Sequence, residues 1–314
     1  MWKKRCVNRA FLYLPAADTS VGLSEKDRKL FMKRKKKIIT VFILLACLFA
    51  GWIIRDNATI GLTRYTAAGN RVPSSFDGFK IIVLSDIHNA KFNDRNEQLL
   101  QLVQKETPDM IAVTGDLVDS RHPDFEKAES LMRHLVKIAP CYYVTGNHEA
   151  CLGEGYLEFE NRLKKLSVAI LHDQVVKLSR NDETIQIAGL DDPDFTERDP
   201  SLQQSMQETK LQRMHVSKEY SILLTHRPEN FDAYVNSGID LVFSGHAHGG
   251  QVRLPLIGGL AAPNQGFFPR YDAGMYEKKQ TSMIVSRGIG NSIIPVRINN
   301  PPEIVCVRLK HLEK

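Results

Sequence analysis

Lys80-Ile81-Ile82-Val83-Leu84-Ser85-Asp86-Ile87-His88 is the stretch that decides how this chain is read. An apolar run of strand length, with no polar alternation, ends in two residue types that bind metals. Such a run predicts a strand buried on both faces. The same arrangement recurs four times. Residues 109–114 lead into Gly115-Asp116, residues 141–145 into Gly146-Asn147-His148-Glu149, residues 220–224 into Thr225-His226, and residues 239–244 into Gly245-His246-Ala247-His248. Polar residues at the carboxyl tips of buried strands gather on one edge of a sheet, where open α/β folds place their sites. Five such tips in one chain predict a dinuclear metal site.

Helical periodicity fills the gaps between the first three runs. Residues 96–105 place Leu99, Leu100 and Val103 on one face and stop before Pro108; residues 125–137 do the same with Ala128, Leu131, Met132 and Leu135. Strand, helix and strand in this rhythm imply right-handed crossovers and a sheet that is at least partly parallel. After a further amphipathic helix at 156–166 come short β-type pieces at 168–171, 175–178, 185–189, 283–286 and 304–309, which predict a second sheet packed on the first. Two segments fit neither layer. Residues 192–218 are polar, with a helix expected at 201–214, and read either as a solvated insertion or as a substrate lid. Residues 249–274 carry six Gly, and an irregular stretch of that length inside a domain is uncommon unless it binds something.

The ligand types limit the metals. Imidazole with carboxylate suits Mn, Fe, Zn, Co or Ni, an all-oxygen cage would suit Mg or Ca, and the absence of thiolates argues against a structural zinc. Asp86 and His88, two apart on a turn, can reach one ion from the same side. Asp116, with two oxygens and a preceding Gly that permits a tight turn, is the natural bridge between two ions. Asn147 offers a neutral carbonyl oxygen, and His246 and His248 project towards different ions if the backbone between them is extended. Charge counting favours an anionic phosphoryl substrate. Two divalent ions, less Asp86, Asp116 and one bridging hydroxide, leave a single positive charge. Two ions about 3.5 to 4 Å apart can generate a hydroxide at neutral pH and brace the ester oxygens during an in-line displacement. His148 is left over, and beside a ligand it can protonate the departing alkoxide. Arg227, Arg253 and Arg287 could clamp substrate phosphates, although surface or structural roles suit each equally well. His122, His134, His172, His215 and His311 lie outside any motif.

Charge is unevenly spread along the 314 residues. Residues 1–74 hold 15 Lys+Arg against 4 Asp+Glu, and the rest of the chain holds 27 against 32. The basic pI therefore belongs to the N-terminus, and the mildly acidic domain shows no basic stripe of the kind a nucleic acid needs. Residues 38–54 are seventeen uncharged residues preceded by Lys33-Arg34-Lys35-Lys36-Lys37. They read as an uncleaved signal anchor at the short end for a spanning helix. Eight Lys+Arg within twenty residues on one side against three on the other put residues 1–37 in the cytoplasm and the domain outside. The competing readings are a cleaved signal at Ala46 or Ala50 and a lipobox ending at Cys47; the apolar run continues past Cys47, which disfavours the second. Residues 1–31 lack periodicity and read as disordered or untranslated, with Met32 as an alternative start. Residues 55–78 are expected to be a linker and 79–314 the domain. Five cysteines form no C-x-x-C pair and imply no disulfide framework.

In this order, Asp86-x-His88, Gly115-Asp116, Gly146-Asn147-His148-Glu149, His226 and Gly245-His246-x-His248 resemble the calcineurin-like metallophosphoesterases over residues 79–309. The resemblance implies a four-layer α/β-β/α sandwich of two mixed sheets. It implies one metal on Asp86, His88, Asp116 and His248, a second on Asp116, Asn147, His226 and His246, and His148 beside the leaving group. The stretch His246-Ala247-His248-Gly249-Gly250-Gln251, with Arg253-Leu254-Pro255, Ala262-Pro263-Asn264-Gln265-Gly266 and Ser286-Arg287-Gly288, is similar to the bacterial membrane-associated branch. Some members of that branch hydrolyse UDP-diacylglucosamine or act at the cell wall. The expected function is hydrolysis of a phosphate ester or pyrophosphate bond on an envelope or lipid-linked substrate. The rivals are a metal-bound scaffold or sensor without turnover, and a nuclease of the same family.

Overall fold

The computed structural model describes residues 24–90, 93–291 and 296–313. Its contacts divide the chain into two units, Met1–Gly51 and Trp52–Lys314. In chain order the elements are α1 (Glu25–Ala58), β1 (Gly61–Gly69), β2 (Lys80–Leu84), α2 (Asn93–Glu106), β3 (Met110–Thr114), α3 (Phe125–Leu135), β4 (Cys141–Val144), α4 (Asn147–Cys151), α5 (Gly155–Lys165) and β5 (Ala169–Ile170). Then follow β6 (Gln174–Arg180), β7 (Glu183–Gly189), α6 (Pro200–Arg213), β8 (Ser221–Leu224), α7 (Phe231–Asn236) and β9 (Leu241–Ser244). The last part holds β10 (Arg253–Leu254), β11 (Gly258–Gly259), β12 (Ala261–Ala262), β13 (Gly266–Phe267), β14 (Gly274–Lys278), β15 (Thr281–Val285) and β16 (Glu303–His311).

The helix α1 contains the apolar run 38–54 and is long and apolar enough to cross a membrane. It also contains residues 25–31, which the sequence reading leaves without structure; residues 1–23 lie outside the described residues. Two six-stranded sheets build the other unit. The first runs β1-β16-β2-β3-β4-β5 and the second β14-β15-β9-β8-β7-β6. Both are mixed. β2 to β5 are parallel with β16 antiparallel to them, and β7, β8, β9 and β15 are parallel with antiparallel edges β6 and β14.

Period-two alternation explains why these strands are apolar throughout. In β2, Ile81 and Val83 face the second sheet and pack with Ile187, Ile222, Leu224 and Phe243. Ile82 and Leu84 face the other way, onto Leu99 of α2, Leu131 of α3 and Phe159 of α5. The second sheet repeats this on its far side, where Leu223 and Val242 pack with Leu211 of α6 and Phe231 of α7. Helices, sheet, sheet and helices make the expected four-layer α/β-β/α sandwich.

Three expectations are corrected. The pieces at 168–171 and 304–309 join the first sheet as β5 and β16, whereas β8 and β9, two of the five metal-tipped strands, belong to the second. The polar tips therefore meet where two sheets adjoin, not along one sheet edge. Residues 55–78 are no linker. β1 pairs residue for residue with β16, and Val72 and Phe76 are buried between the sheets. Its lack of a continuous apolar run reflects an edge strand with one neighbour, of which only Ala67 is buried. Helix α6 buries Gln203 and Gln207 alongside Leu211, so its polar inner face hid its packing from a hydrophobic count.

Candidate metal centre

The strand tips turn sharply. Asp86, His88, Asp116, His246 and His248 all have positive φ, between 48° and 65°. Non-glycine residues rarely adopt that backbone, and its concentration here marks a place where the surroundings hold strain for a purpose. Gly115, at φ 88°, admits no side chain: a Cβ there would lie 2.7 Å from His226 Nδ1 and 2.8 Å from the Gly146 backbone. The loops after β2 and β3 are tied together by Asp86 N donating to Gly115 O at 3.1 Å and His88 N to Asp116 O at 3.0 Å.

Glu149 fastens the next loop. Its carboxylate accepts N–H groups from Asp116 (2.8 Å), Leu117 (2.8 Å), Val118 (3.3 Å) and Gly146 (2.7 Å). Burial and the Asp116 charge push this carboxyl up to about 7, while the Gly146 and Asp116 amides act in the other direction. Although Glu149 stands in the quoted motif, no role is read for it there. Its spacing to Gly146 is the capping-box spacing, which was the available signal.

Seven side chains converge. Asp116 Oδ1 accepts the His148 N–H at 2.8 Å, which leaves Oδ2 facing His226 Nε2 at 3.3 Å and His88 Nε2 at 3.5 Å. His88 Nε2 and His248 Nε2 lie 3.2 Å apart, and Asp86 Oδ1 is 3.3 Å from the latter. On the other side His226 Nε2 lies 3.1 Å from Asn147 Oδ1 and 3.2 Å from His246 Nδ1. Asp86, His88, Asp116 and His248 form one group able to hold a metal ion, and Asp116, His226 and His246 another, sharing Asp116. Asn147 Oδ1, a neutral oxygen 3.1 Å from His226 Nε2, lies beside the second. His226 Nδ1 donates to Thr114 O at 2.7 Å, which orients Nε2 into the site, as a ligand imidazole requires.

The electrostatics suit cations. Burial would depress His226, but the carboxylates of Asp116 and Asp86 overcome it and carry its pKa to about 10, so the pocket draws positive charge. Burial raises Asp86 to about 6; in Asp116 it is outweighed by His226 and His88, which hold that carboxyl well below its usual value. Burial, with help from neighbouring positive groups, pushes His88, His246 and His248 down, His88 to about 4, which favours the neutral imidazole that ligates. These donors fit two divalent ions that accept mixed nitrogen and oxygen ligands.

His148 stands edge-on to His88, with ring centroids 4.5 Å apart. Its Nδ1 accepts the Ser120 N–H at 3.0 Å, so Nε2 carries the proton of the neutral ring; Asp119 Oδ1 lies 3.4 Å from Nδ1. Nothing in the sequence pointed to Asp119 or Ser120.

The arginines divide. Arg227 is buried and committed to Asp192 through two bonds of 2.6 and 2.8 Å and to Asp194 at 2.9 Å, an arrangement that fits the structural role left open beside the substrate clamp. Its Nη1 also approaches His246 Nε2 at 3.2 Å, which makes it a prop for a ligand. Arg253 is held by Asp272 at 2.9 Å and by the Gly249 carbonyl at 3.0 Å. Arg287 is partly exposed, with Glu303 4.0 Å away, and it follows a strand whose end lies against Asp86 through Gly288. Arg297, not singled out in the sequence, is buried behind His248 and donates to the carbonyls of Arg287 (2.8 Å) and Gly290.

A four-layer sandwich with imidazole, carboxylate and amide donors at the meeting of its sheets has the architecture of a dinuclear-metal phosphoesterase. The chain belongs to the calcineurin-like phosphoesterase family, whose model matches residues 79–250. It is 31% identical over 265 residues to the metallophosphoesterase YkuE of Bacillus subtilis, covering 80% of this chain and 86% of that protein. It is 27% identical over 236 residues to the phosphodiesterase YaeI of Escherichia coli (74% and 82% covered). It is 27% identical over 311 residues to a bovine transmembrane protein with a metallophosphoesterase domain (94% and 66% covered).

Proposed function

We propose that this protein is a membrane-anchored hydrolase that uses two divalent ions to cleave a phosphate ester or pyrophosphate bond, on an envelope or lipid-linked substrate. The observation that carries the reading is the convergence of six buried side chains, Asp86, His88, Asp116, His226, His246 and His248, with the half-buried Asn147 and His148 beside them. One ion would rest on Asp86, His88, Asp116 and His248, the other on Asp116, Asn147, His226 and His246. Bound there, Mn, Fe, Zn, Co or Ni would supply Lewis acidity and activate water at neutral pH. Asp116 holds the two half-sites in register, Asn147 adds an oxygen without adding negative charge, and His148 Nε2 offers its proton to the departing oxygen. Arg287 is the arginine left to meet a substrate phosphate. The name of the Escherichia coli relative favours diesters among the substrates. The run 38–54 would span the cell membrane once with the basic tail in the cytoplasm and the domain outside.

The test is hydrolysis by the purified full chain. Release of p-nitrophenol from p-nitrophenyl phosphate or bis(p-nitrophenyl) phosphate should require Mn²⁺ or a related ion and should vanish with chelator. Two bound ions with no turnover on monoesters, diesters or nucleotide-linked lipids would transfer the protein to the scaffold reading.

A further inference from the structure

The Gly-rich stretch after the last ligand ends in an apolar surface that the hydrolytic chemistry does not use. β10 and β11 form a hairpin, β12 and β13 a second, and Phe268 N donates to Leu260 O at 2.9 Å, so residues 252–268 make one small meander. Its large apolar side chains point outward: Leu256 is 108% exposed, Phe267 77%, Ile257 65% and Phe268 61%. Scattered apolar residues on a surface are ordinary, but four of this size within thirteen residues are not. Leu256 also holds φ 67°, a backbone that a bulky residue adopts at a cost and that a glycine would adopt freely. Arg270, exposed, follows directly.

The root of this meander is tied to the place where the chain leaves its apolar run. That run ends at Ile54. Asn57 then exchanges two hydrogen bonds with the Arg297 backbone, at 2.7 and 2.8 Å, and Asp56 accepts the Asn300 N–H at 3.1 Å. Asn300 in turn donates to the carbonyl of the ligand His248 at 2.7 Å, and Arg253 N donates to Ile298 O at 2.9 Å. A single strip, residues 297–300, therefore joins the end of the apolar run, a metal ligand and the first strand of the meander.

We propose that Leu256, Ile257, Phe267 and Phe268 insert into the interfacial layer of the bilayer that α1 crosses, so that the metal centre is held at the lipid surface. This rests on the reading of α1 as a membrane span. The occupant is lipid because the root of the meander is bonded to the strip 297–300, which holds Asp56 and Asn57, two and three residues past the end of the apolar run. An arginine at the edge of such a patch can bury its stem and keep its charge at the headgroups. Each inserted Leu or Phe side chain changes a partition constant by about tenfold or more.

The experiment uses the full chain in nanodiscs of phosphatidylcholine and phosphatidylglycerol containing a lipid with a diazirine in its acyl chain. After irradiation, adducts are mapped by mass spectrometry. Adducts are expected in residues 38–54 and in 252–268. In the double variant Leu256→Asp, Phe267→Asp those in 252–268 should fall about tenfold or more, while those in 38–54 and the turnover of a soluble p-nitrophenyl ester stay at wild-type levels. Adducts in 38–54 with none in 252–268 would overturn the inference and leave the anchor standing. Adducts in neither would overturn both. Cross-links between protein copies through 252–268, in place of lipid adducts, would give the patch to a second copy and also overturn it.

Discussion

Glu149 Oε2 accepts the backbone N–H of Asp116 at 2.8 Å and that of Gly146 at 2.7 Å, so one buried carboxylate clasps the two loops that carry Asp116 and Asn147. The chemistry depends on Asp116 Oδ2 being aimed, and the aim is set from behind. Glu149→Gln keeps the shape but turns an N–H₂ towards backbone donors, leaving at least one of them unpaired at a cost of about 1 to 3 kcal/mol. A lowered melting temperature together with reduced metal content by elemental analysis is expected. Unchanged metal affinity would mean the clasp serves folding alone.

Asp116→Asn should empty or disorder both half-sites, because the shared position loses its charge and a strong ligand. Asn147→Ala removes one neutral oxygen and should weaken the second half-site alone. Metal stoichiometry of the two variants distinguishes them. Two ions held by Asp116→Asn at wild-type affinity would contradict the shared role.

Arg227 and Asp192 form a buried ion pair, and losing one partner of such a pair costs about 3 to 5 kcal/mol. Asp194 and Glu229 stay near the guanidinium in Asp192→Asn, which puts the expected loss near the lower figure. Arg227→Lys cannot reproduce the two-pronged contact and should lower the melting temperature with KM for a soluble phosphate ester unchanged. A raised KM at constant melting temperature would return Arg227 to the substrate.

The convergence of the polar tips was legible because strand tips in a parallel sheet must present their next residue to the same edge, so Asp86, Asp116 and Asn147 announce themselves wherever the apolar runs stop. What was not legible is long-range. That β8 and β9 belong to a different sheet from β2, β3 and β4 follows from their pairing with β7 and β15, and the runs look alike in either sheet. Arg227 is a similar case. Its partner Asp192 lies 35 positions upstream in a segment with no pattern of its own, so the sequence leaves a substrate clamp and a structural role equally open for it. Edge strand β1 was missed for a simpler reason: with one neighbour it needs few apolar residues.

His172 bridges Asp191 at 2.9 Å and Glu160 at 3.0 Å outside the metal centre. The hydrogen bond to Asp191 and the charges of both carboxylates raise its pKa above 6.5, against the effect of burial. A histidine raised in the folded state binds its proton more tightly there than in the unfolded chain. Its stabilisation is complete below about pH 6.5 and is lost as pH rises through the higher folded value. Melting temperature measured from about pH 5 to 9 should show His172→Gln losing most stability on the acid side and converging on wild type at the alkaline side. A constant difference across that range would remove the titration from the account.

On the proposed reading His148 serves the leaving group, with Ser120 N–H fixing Nδ1 and Asp119 Oδ1 3.4 Å from it. His148→Ala should retain both ions, since it supplies none of the converging donors. Turnover should fall on the order of 10² to 10⁴-fold on esters with poor leaving groups. The p-nitrophenolate ion departs without much protonation, so the loss on its esters should be much smaller. A residue that only positions the phosphate would cost both ester types alike. Equal losses across leaving groups, or loss of metal from the variant, would therefore take the proton-donor role away from His148 and hand it to a group that has yet to reach the substrate.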